Sequence, residues 1–328
     1  MKTSAKYVKI FAPSRIHVSL VCMGDNEFRS NGGAGFAING FDVVITSRLS
    51  SELCLVLSDE LDLNEPLKNK ILDLEAYLAK LCKNKSLEPV KICVDQIPPR
   101  NCGFGTGTSL ELSCIESIFI LNSIDYTASD IIYASSRGGT SGIGVHSYFE
   151  GGFIVDLGHR PKKMFLPSSH GRKDQEVPLR LGRWNFPPWD IGIFLPDEKP
   201  LRNEKFDEND FFERFCNLSF SDISEIGFIV TYGLISSVME EDLVNFGRAI
   251  NFIQKTKWKK LEVGLYGGEV DSIREMILEK GALACGMSSI GPLLYFFSET
   301  PIDKVVASLS PSARIVQPNN TGRKVVTC

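Results

Sequence analysis

The feature that most constrains this chain is a glycine-rich stretch at residues 99–109, Pro-Arg-Asn-Cys-Gly-Phe-Gly-Thr-Gly-Thr-Ser. Its glycines, Gly103, Gly105 and Gly107, occupy alternate positions, where they let the backbone turn tightly and approach a ligand closely. The apolar residues that follow recur near a helical period. The stretch therefore predicts a loop that leads into a helix with a buried face.

The start of such a helix suits a phosphate group, because unpaired backbone N–H groups and the positive end of the helix dipole face the loop. The hydroxyls of Thr106, Thr108 and Ser109 add hydrogen-bonding groups. A turn capped by Ser109 or Thr108 with no ligand explains the same residues. The stretch has neither the lysine of a Walker loop nor the spacing Gly-x-Gly-x-x-Gly, so the loop alone leaves both interpretations open.

Length and composition indicate a globular protein of two domains. The chain has 328 residues, 43% hydrophobic and 23% charged. A basic, proline-rich stretch at 161–188 is interpreted as a surface loop or a crossing between domains, and we predict domains at 1–175 and 176–328. The net charge of −4 argues against a general affinity for nucleic acid, so an anionic ligand needs local positive groups.

The cysteines favour a reducing compartment. There are nine, none of them in a Cys-x-x-Cys pair, and only four histidines accompany them, which argues against a structural zinc site. The pattern is typical of reduced core thiols in a cytoplasmic protein. No stretch approaches the run of about 18 apolar residues that a membrane span requires, so we expect no membrane partner.

Two further stretches carry candidate ligand-binding groups in the first half of the chain. Arg15 and His17 share one face of a predicted strand, where they would bind an anion or form a solvated edge. The run 137–146 contains four glycines and two hydroxyls behind Arg137, whose guanidinium suits phosphate or carboxylate. A strand pattern at 149–157 follows, with Asp156 near its end and His159 just after. The alternative for this run is a glycine-rich hairpin with a solvent-facing arginine.

The second half alternates strand and helix patterns, which predicts a layered α+β fold. It includes a third glycine and hydroxyl loop at 286–292, with Ser288 and Ser289. We also predict a turn at 31–35, one long helix at 235–253 and a strand at 261–265. Trp184, Phe186 and Trp189 are interpreted as the plug of an interdomain seam or as a cap over an aromatic ligand.

Three of these motifs resemble those of the GHMP kinase superfamily. They are Ala-Pro-Ser-Arg at 12–15, Pro-x-x-x-Gly-Phe-Gly-Thr-Gly-Thr at 99–108 and Gly-Met-Ser-Ser-Ile-Gly-Pro at 286–292, in the order that the superfamily has them. The resemblance spans most of the chain. It implies a two-domain fold with an N-terminal half like domain 2 of ribosomal protein S5 and a ferredoxin-like C-terminal half.

Within the superfamily, the run 137–159 resembles the signature of the β-ribofuranosylaminobenzene 5′-phosphate synthases. The resemblance implies an enzyme that condenses phosphoribosyl diphosphate with 4-hydroxybenzoate or 4-aminobenzoate, with Mg²⁺ as cofactor. Carbon dioxide and pyrophosphate leave, and the product leads to methanopterin-type carriers. A homodimer is also implied. Gly144 stands where many GHMP kinases have an aspartate that deprotonates the substrate hydroxyl, which favours the synthase branch.

The resemblance also implies roles for individual residues. Candidates for catalysis are Arg15, His17, Asp156 and His159. Candidates for binding substrate and phosphate are Gly103, Gly105, Thr106, Gly107, Thr108, Ser109, Arg137, Gly139, Thr140, Ser141, Ser288 and Ser289. Thr108 and Ser109 are the candidate Mg²⁺ ligands. Two alternatives stay open: an ATP-dependent GHMP kinase of small molecules, and a non-catalytic descendant that binds a nucleotide or partner.

Overall fold

The strands form two sheets in a computed structural model that describes residues 5–24, 28–58, 65–135, 137, 142–160, 177–196, 208–309 and 311–328. The first sheet has seven strands and the second has four. The strands of the first are β1 (Val8–Cys22), β2 (Asn31–Leu49), β3 (Cys54–Leu57), β4 (Val90–Gln96), β5 (Phe153–Asp156), β6 (Arg180–Trp184) and β11 (Lys324–Thr327). Those of the second are β7 (Ile191–Phe194), β8 (Ala284–Met287), β9 (Leu294–Phe297) and β10 (Ala313–Val316).

The long strand β2 organises the first sheet. The main order is β11-β1-β2-β4-β3, while β5 pairs with the first part of β2 and with β6. The predicted turn at 31–35 is wrong, because these residues pair with β1 on one side and β5 on the other. Their glycines serve close packing instead. A Cβ built on Gly35 would lie 2.4 Å from the carbonyl oxygen of Ile16.

Four helices pack against the first sheet and share an apolar core with it. They are α1 (Glu65–Lys85), α2 (Thr106–Leu121), α3 (Ala128–Ala134) and α4 (Gly142–Glu150). Thr127 caps α3 through a reciprocal pair of hydrogen bonds with Asp130. The buried face predicted for the helix after the glycine loop is confirmed in α2, which is buried along almost its whole length.

The helices of the second half accompany the four-stranded sheet, whose order is β10-β7-β9-β8. They are α5 (Glu208–Phe215), α6 (Phe220–Glu240), α7 (Leu243–Ile253), α8 (Lys257–Gly264), α9 (Glu269–Glu279) and α10 (Ile302–Ala307). The predicted strand at 261–265 is wrong, since α8 covers most of it. The single helix predicted at 235–253 is interrupted where Glu241 takes a left-handed φ of 56° and Asp242 caps α7.

Helix α6 differs from the sequence-based expectation about membrane spans. Over Phe220–Glu240 it is long and apolar enough to cross a membrane by length and composition, and 28% of its most apolar window is buried in the protein. A π-helical segment, Ile229–Ile235, lies in its middle. The buried side chains of α6, such as Ile226 and Leu234, join the core of the folded protein, while most of the apolar window is not buried.

The two sheets meet at an aromatic seam, and their strands do not follow the predicted ranges 1–175 and 176–328. Both β6 and β11 come from the second range and join the first sheet. Phe186 stacks on Phe36 of β2 at 4.5 Å between ring centroids and also contacts Phe297 of β9. Trp189 contacts Phe297 as well. The interpretation of these aromatic residues as an interdomain seam is therefore confirmed.

Candidate functional site

The glycine loop forms the start of α2. Gly103 has a φ of 113° and Gly105, the residue that precedes the helix, has a φ of 78°. Both values lie in the left-handed region that residues with a Cβ rarely adopt. The amides of Thr108 and Ser109 bond to the carbonyl of Gly105, which closes the first turn. The backbone thus requires glycine at both positions.

Arg15 of β1 holds this loop. Its amide donates to the carbonyl oxygen of Phe104 at 2.9 Å, and its guanidinium donates to that of Gly103. The stem of the side chain crosses Gly105, where a Cβ would lie 3.0 Å from Arg15 Cγ. Arg15 pairs with Ala37 and His17 with Gly35 on the neighbouring strand, so the predicted shared face of Arg15 and His17 is confirmed.

Arg137 lies on the other side of the same loop. A Cβ built on Gly107 would lie 3.0 Å from its Nη2, so the guanidinium packs closely against this glycine. The buried carboxylate of Glu111, one turn into α2, fixes Arg137 through a 2.8 Å ion pair to Nε. Arg137, distant in sequence from the glycine loop, therefore lies directly beside it.

Arg100 adds a third guanidinium that the sequence analysis missed. It is half-buried, and burial together with the nearby Arg137 guanidinium lowers its pKa. Its position three residues before Gly103, in the same motif, was the available signal. Three positive groups gather around the start of α2 in a chain of net charge −4, which favours an anionic ligand at this point.

Several predicted hydroxyl ligands instead connect loops. Ser109 Oγ donates to the carbonyl of Pro13 at 3.0 Å, and Thr106 Oγ1 donates to that of Pro99 at 3.4 Å. Ser288 Oγ donates to Gly103 at 2.7 Å and accepts the His17 amide at 3.0 Å. Because its hydroxyl is engaged on both sides, Ser288 joins β1 to the glycine loop.

The third loop, at 286–292, thus packs directly on the first. Ser289 has a left-handed φ of 53° and donates its amide to the carbonyl of His17. The amide of Leu293 bonds to Cys102, and a Cβ on Gly291 would lie 2.2 Å from the Cys102 carbonyl. The predicted convergence of the loops at 103–109 and 286–292 is what the structure shows.

His17 and Asp156 flank Gly33 on one face of the sheet. Gly33 pairs with Asp156 across β2 and β5, and a Cβ on it would lie 3.1 Å from the His17 ring. The Asp156 carboxylate rests against Gly142 at the first turn of α4, where a Cβ would come within 2.6 Å of both oxygens. The described end of the run 137–146 is therefore a helix start that faces a carboxylate, not the hairpin of the alternative interpretation.

Burial sets the protonation of both groups. Burial lowers the pKa of His17 well below its usual value, and the charges of Arg15 and Lys259 lower it further. The imidazole is therefore neutral near pH 7. Burial raises the pKa of Asp156 to about 7, although the Gly158 amide and the Arg29 charge act in the opposite direction. Asp156 is thus able to gain or lose a proton near neutral pH.

The remaining predicted residues lie at the edge of this arrangement. His159 is buried, and its backbone forms a bridge with Ser30 beside the start of β2. Gly139, Thr140 and Ser141 lie outside the described residues. Within the described part of the chain, no group of three or more His, Cys, Asp or Glu side chains could hold a metal ion.

Comparison with known proteins places the chain in a family. The β-ribofuranosylphenol 5′-phosphate synthase of Methanothermobacter thermautotrophicus is 31% identical over 324 residues, which cover 97% of this chain and 95% of that protein. The chain belongs to this synthase family. The Archaeoglobus fulgidus synthase of the same name is 30% identical, with 92% of this chain and 91% of that protein covered. The family inferred from the motifs is confirmed, and these relatives carry the phenol name.

The superfamily fold is confirmed as well. The model of the family "GHMP kinases C terminal" matches residues 234–313 of this chain. Homoserine kinase from Cytophaga hutchinsonii superimposes with a TM-score of 0.68 at 16% identity, covering 99% of both chains. Mevalonate diphosphate decarboxylase from Enterococcus faecalis gives 0.65 at 13% identity, covering 98% of this chain and 99% of that one. At such identities these structures show the fold alone.

Proposed function

We propose that the protein condenses phosphoribosyl diphosphate with 4-hydroxybenzoate to give β-ribofuranosylphenol 5′-phosphate, carbon dioxide and pyrophosphate. The bond from ribose C1 to the diphosphate breaks, and its electron pair leaves with the diphosphate. The ring carbon that bears the carboxylate forms the new bond to C1. The electron pair of the bond to the carboxylate returns to the ring as carbon dioxide leaves. The phenol in the relatives' name favours the hydroxybenzoate over the aminobenzoate.

The observation that carries the proposal is the convergence of Arg15, Arg100 and Arg137 on the start of α2. Loss of diphosphate from C1 leaves negative charge on the leaving group, and fixed guanidinium groups with helix amides stabilise that charge. Arg137 is held in place by Glu111 before any ligand arrives. We assign the diphosphate to Arg100, Arg137 and the helix amides, which leaves Arg15 for the benzoate. Gly139, Thr140 and Ser141 stay candidates for binding the 5′-phosphate.

The benzoate is assigned to the face that carries His17 and Asp156. Gly33 between them lets the backbone of β2 approach the His17 ring closely. Arg15 would pair with the carboxylate until carbon dioxide leaves, and the neutral His17 would orient it by a hydrogen bond. Deprotonated Asp156 would accept the phenol proton, which directs electron density to the opposite ring carbon, and would return that proton to the oxygen as carbon dioxide leaves. His159 stays a candidate for relaying that proton.

Magnesium fits this site only together with substrate. The candidate protein ligands are the Thr108 hydroxyl and the lone pairs of Ser109 Oγ, whose proton is donated to the Pro13 carbonyl. The described residues hold no carboxylate cluster, and Glu111 is engaged with Arg137. Thr108 and Ser109 would therefore hold the ion jointly with diphosphate oxygens, as Mg²⁺ at phosphate sites is usually held. When bound, Mg²⁺ neutralises charge that develops on the leaving diphosphate.

We also propose that the protein is a homodimer. We propose in addition that its product enters methanopterin-type cofactor assembly.

The test is mass spectrometry of the products from phosphoribosyl diphosphate, Mg²⁺ and 4-hydroxybenzoate labelled with ¹³C in the carboxylate. We expect labelled carbon dioxide, pyrophosphate and an unlabelled phenol riboside phosphate in equal amounts. A parallel reaction with 4-aminobenzoate measures the preference between the two benzoates. Formation of ADP from ATP and a small alcohol, with no riboside, would contradict the proposal in favour of a kinase. A folded protein that turns over neither substrate pair would support the non-catalytic alternative.

A further inference from the structure

Helix α6 presents a row of large apolar side chains to solvent. Phe228 is 64% exposed, Tyr232 70%, Phe220 76% and Met239 64%. The rings of Phe228 and Tyr232 lie 5.0 Å apart and form one continuous surface. Scattered exposed apolar residues are ordinary, but a row of four along one helix marks an interaction site.

The opposite side of α6 is committed to the protein core. Ile226, Val230, Leu234 and Val238 are buried, and they recur at the four-residue spacing of one helix face. Helix α6 is therefore held by its inner side in the folded domain. The exposed row on the outer side has no counterpart within the part of this chain that the structure describes.

The exposed row is symmetric about the middle of the helix. Phe228 and Tyr232 lie two residues either side of position 230, while Phe220 and Met239 lie ten and nine residues from it. If a second α6 runs antiparallel across the first at this point, Phe228 of each helix meets Tyr232 of the other. A surface that complements itself in this way is what a two-fold interface between identical chains requires.

The exposed area suits a dimer of ordinary size. A buried Phe, Tyr or Trp removes about 150–250 Å² from solvent, so the exposed fractions of the four side chains sum to roughly 550 Å² per chain. A typical stable interface buries about 800 Å² on each partner. The row alone supplies most of that area, and the shorter exposed residues between its members, such as Ser224 and Thr231, contribute the rest.

The charges on α6 argue against a lipid surface as the occupant. The helix contains no Lys or Arg, and its charged residues are Asp222, Glu225 and Glu240. Helices that bind membrane surfaces carry basic residues on their polar side, because cellular membranes expose anionic lipids. The acidic residues of α6 therefore disfavour an anionic lipid surface as the occupant of the apolar row.

We infer that α6 forms a two-fold interface between two copies of this chain, with Phe228 of each copy packed against Tyr232 of the other. The inference gives the homodimer of the proposed function a specific surface. Its test measures mass rather than turnover, so the interface and the reaction can each fail without the other.

Sedimentation equilibrium of the full chain tests the interface. We expect wild type to sediment at twice the chain mass of 36.4 kDa, and Phe228→Glu and Tyr232→Glu to weaken the dimer at least 100-fold. Tyr133→Glu is the matched control, because Tyr133 is an exposed aromatic residue, 60% exposed, on α3. Circular dichroism and melting confirm that each variant is folded. A monomeric wild type, or variants that stay dimeric, would overturn the inference.

A cross-link measures the position of the two-fold axis. Thr231→Cys places a thiol beside the axis, and in a background with Cys328→Ser we expect a dimer that thiol reductant separates. Ser224→Cys is the control, because it lies on the same helix but far from the axis and should not cross-link. If Thr231→Cys does not cross-link, the exposed row of α6 does not meet a second copy at this axis. If monomeric wild type binds anionic vesicles and Phe228→Glu abolishes that binding, the row binds a lipid surface instead.

Discussion

Asp156 shows how burial shapes the chemistry of a single residue. Its carboxylate lies against Gly142 at the start of α4, bonds to the Gly158 amide at 2.8 Å, and has a pKa raised to about 7 by burial. A carboxyl group that titrates near neutral pH suits transfer of a phenol proton. His17, buried on the other side of Gly33, is instead neutral because its pKa is lowered.

The raised pKa of Asp156 predicts how turnover depends on pH. If deprotonated Asp156 accepts the phenol proton, kcat should rise between pH 5 and pH 8 with a midpoint near the pKa of about 7. Asp156→Asn should lower kcat about 100-fold or more and remove that rise, in line with the usual contribution of general base catalysis. The measurement is the kcat profile of both proteins. A variant that keeps the wild-type midpoint would show that another group titrates.

The same shift predicts how stability depends on pH. Folded Asp156 keeps its proton up to about pH 7, whereas the unfolded carboxyl loses it near about pH 4. Its contribution to stability is therefore full below pH 4 and is lost as pH rises to 7. The difference of about three pH units corresponds to about 4 kcal/mol. Urea unfolding at pH 4.5, 6 and 7.5 should show this decrease in wild type and a smaller one in Asp156→Asn.

Substitutions of Arg137 should separate the effect of its positive charge from the effect of its planar pair of donors. Arg137→Ala should lower kcat/KM for phosphoribosyl diphosphate about 10- to 100-fold, the effect of losing one charged hydrogen bond of about 1.5–3 kcal/mol. Arg137→Lys should recover only part of it, because lysine keeps the charge but not the planar pair of donors. Steady-state kinetics measure both variants. Arg180→Ala, at a half-exposed surface ion pair with Glu150, is the control. Wild-type kinetics in Arg137→Ala would exclude Arg137 from binding the diphosphate.

At the scale of elements, α8 holds the third loop on the glycine loop. The fully buried Lys259 of α8 donates to the carbonyl of Met287 at 3.0 Å and forms an ion pair with buried Glu262. Tyr266, just after α8, donates to the carbonyl of Ile290 at 2.6 Å. The loop that carries Ser288 is thus anchored at both ends to one helical segment, and Ser288 in turn fixes Gly103 and His17.

Removal of the Lys259 charge should destabilise the protein strongly. Lys259→Met leaves Glu262 buried without its ionic partner, and such changes cost about 3–5 kcal/mol. Chemical denaturation measures the free energy of unfolding. Lys260→Met is the matched control, since the neighbouring lysine is exposed and its loss should change stability by less than about 0.5 kcal/mol. Equal stability of the two variants would refute the anchoring role of Lys259.

At the scale of the whole molecule, the last strand ties the end of the chain to its beginning. Strand β11 pairs with β1, and Arg323, just before it, forms a 2.6 Å ion pair with Glu116 of α2. Glu116 is fully buried and also accepts hydrogen bonds from Tyr126 and Tyr148. The first sheet is therefore complete only when the whole chain has been made.

Loss of Arg323 should weaken the whole fold. Arg323→Met leaves the Glu116 carboxylate without a positive partner, which costs about 3–5 kcal/mol when a buried pair is broken. Arg314→Met, at an exposed position of β10, is the control and should be nearly neutral. Thermal unfolding monitored by calorimetry compares them. An unchanged melting temperature for Arg323→Met would mean that β11 docks without this pair.

Sequence patterns were informative wherever contacts are short in range. The glycine loop before a helix and the shared face of Arg15 and His17 each depend on residues within a few positions of one another. The sequence patterns gave the wrong structure at residues 31–35, predicted as a turn, and at 261–265, predicted as a strand. In the first case, close packing of strands uses the same glycines as a turn does. In the second, the apolar run of α8 is too short to separate helix from strand.

The sequence by itself determined the α+β class, the family and the glycine loop at 99–109 that leads into a helix, because these are encoded in local composition and spacing. Tertiary structure alone decided that Arg100 joins Arg15 and Arg137, that Ser288 connects two loops, that Asp156 is buried, and that β11 returns to the first sheet. The reason is physical. Burial, charge proximity and strand pairing arise between residues far apart in the chain, whose approach follows only from packing of the complete molecule.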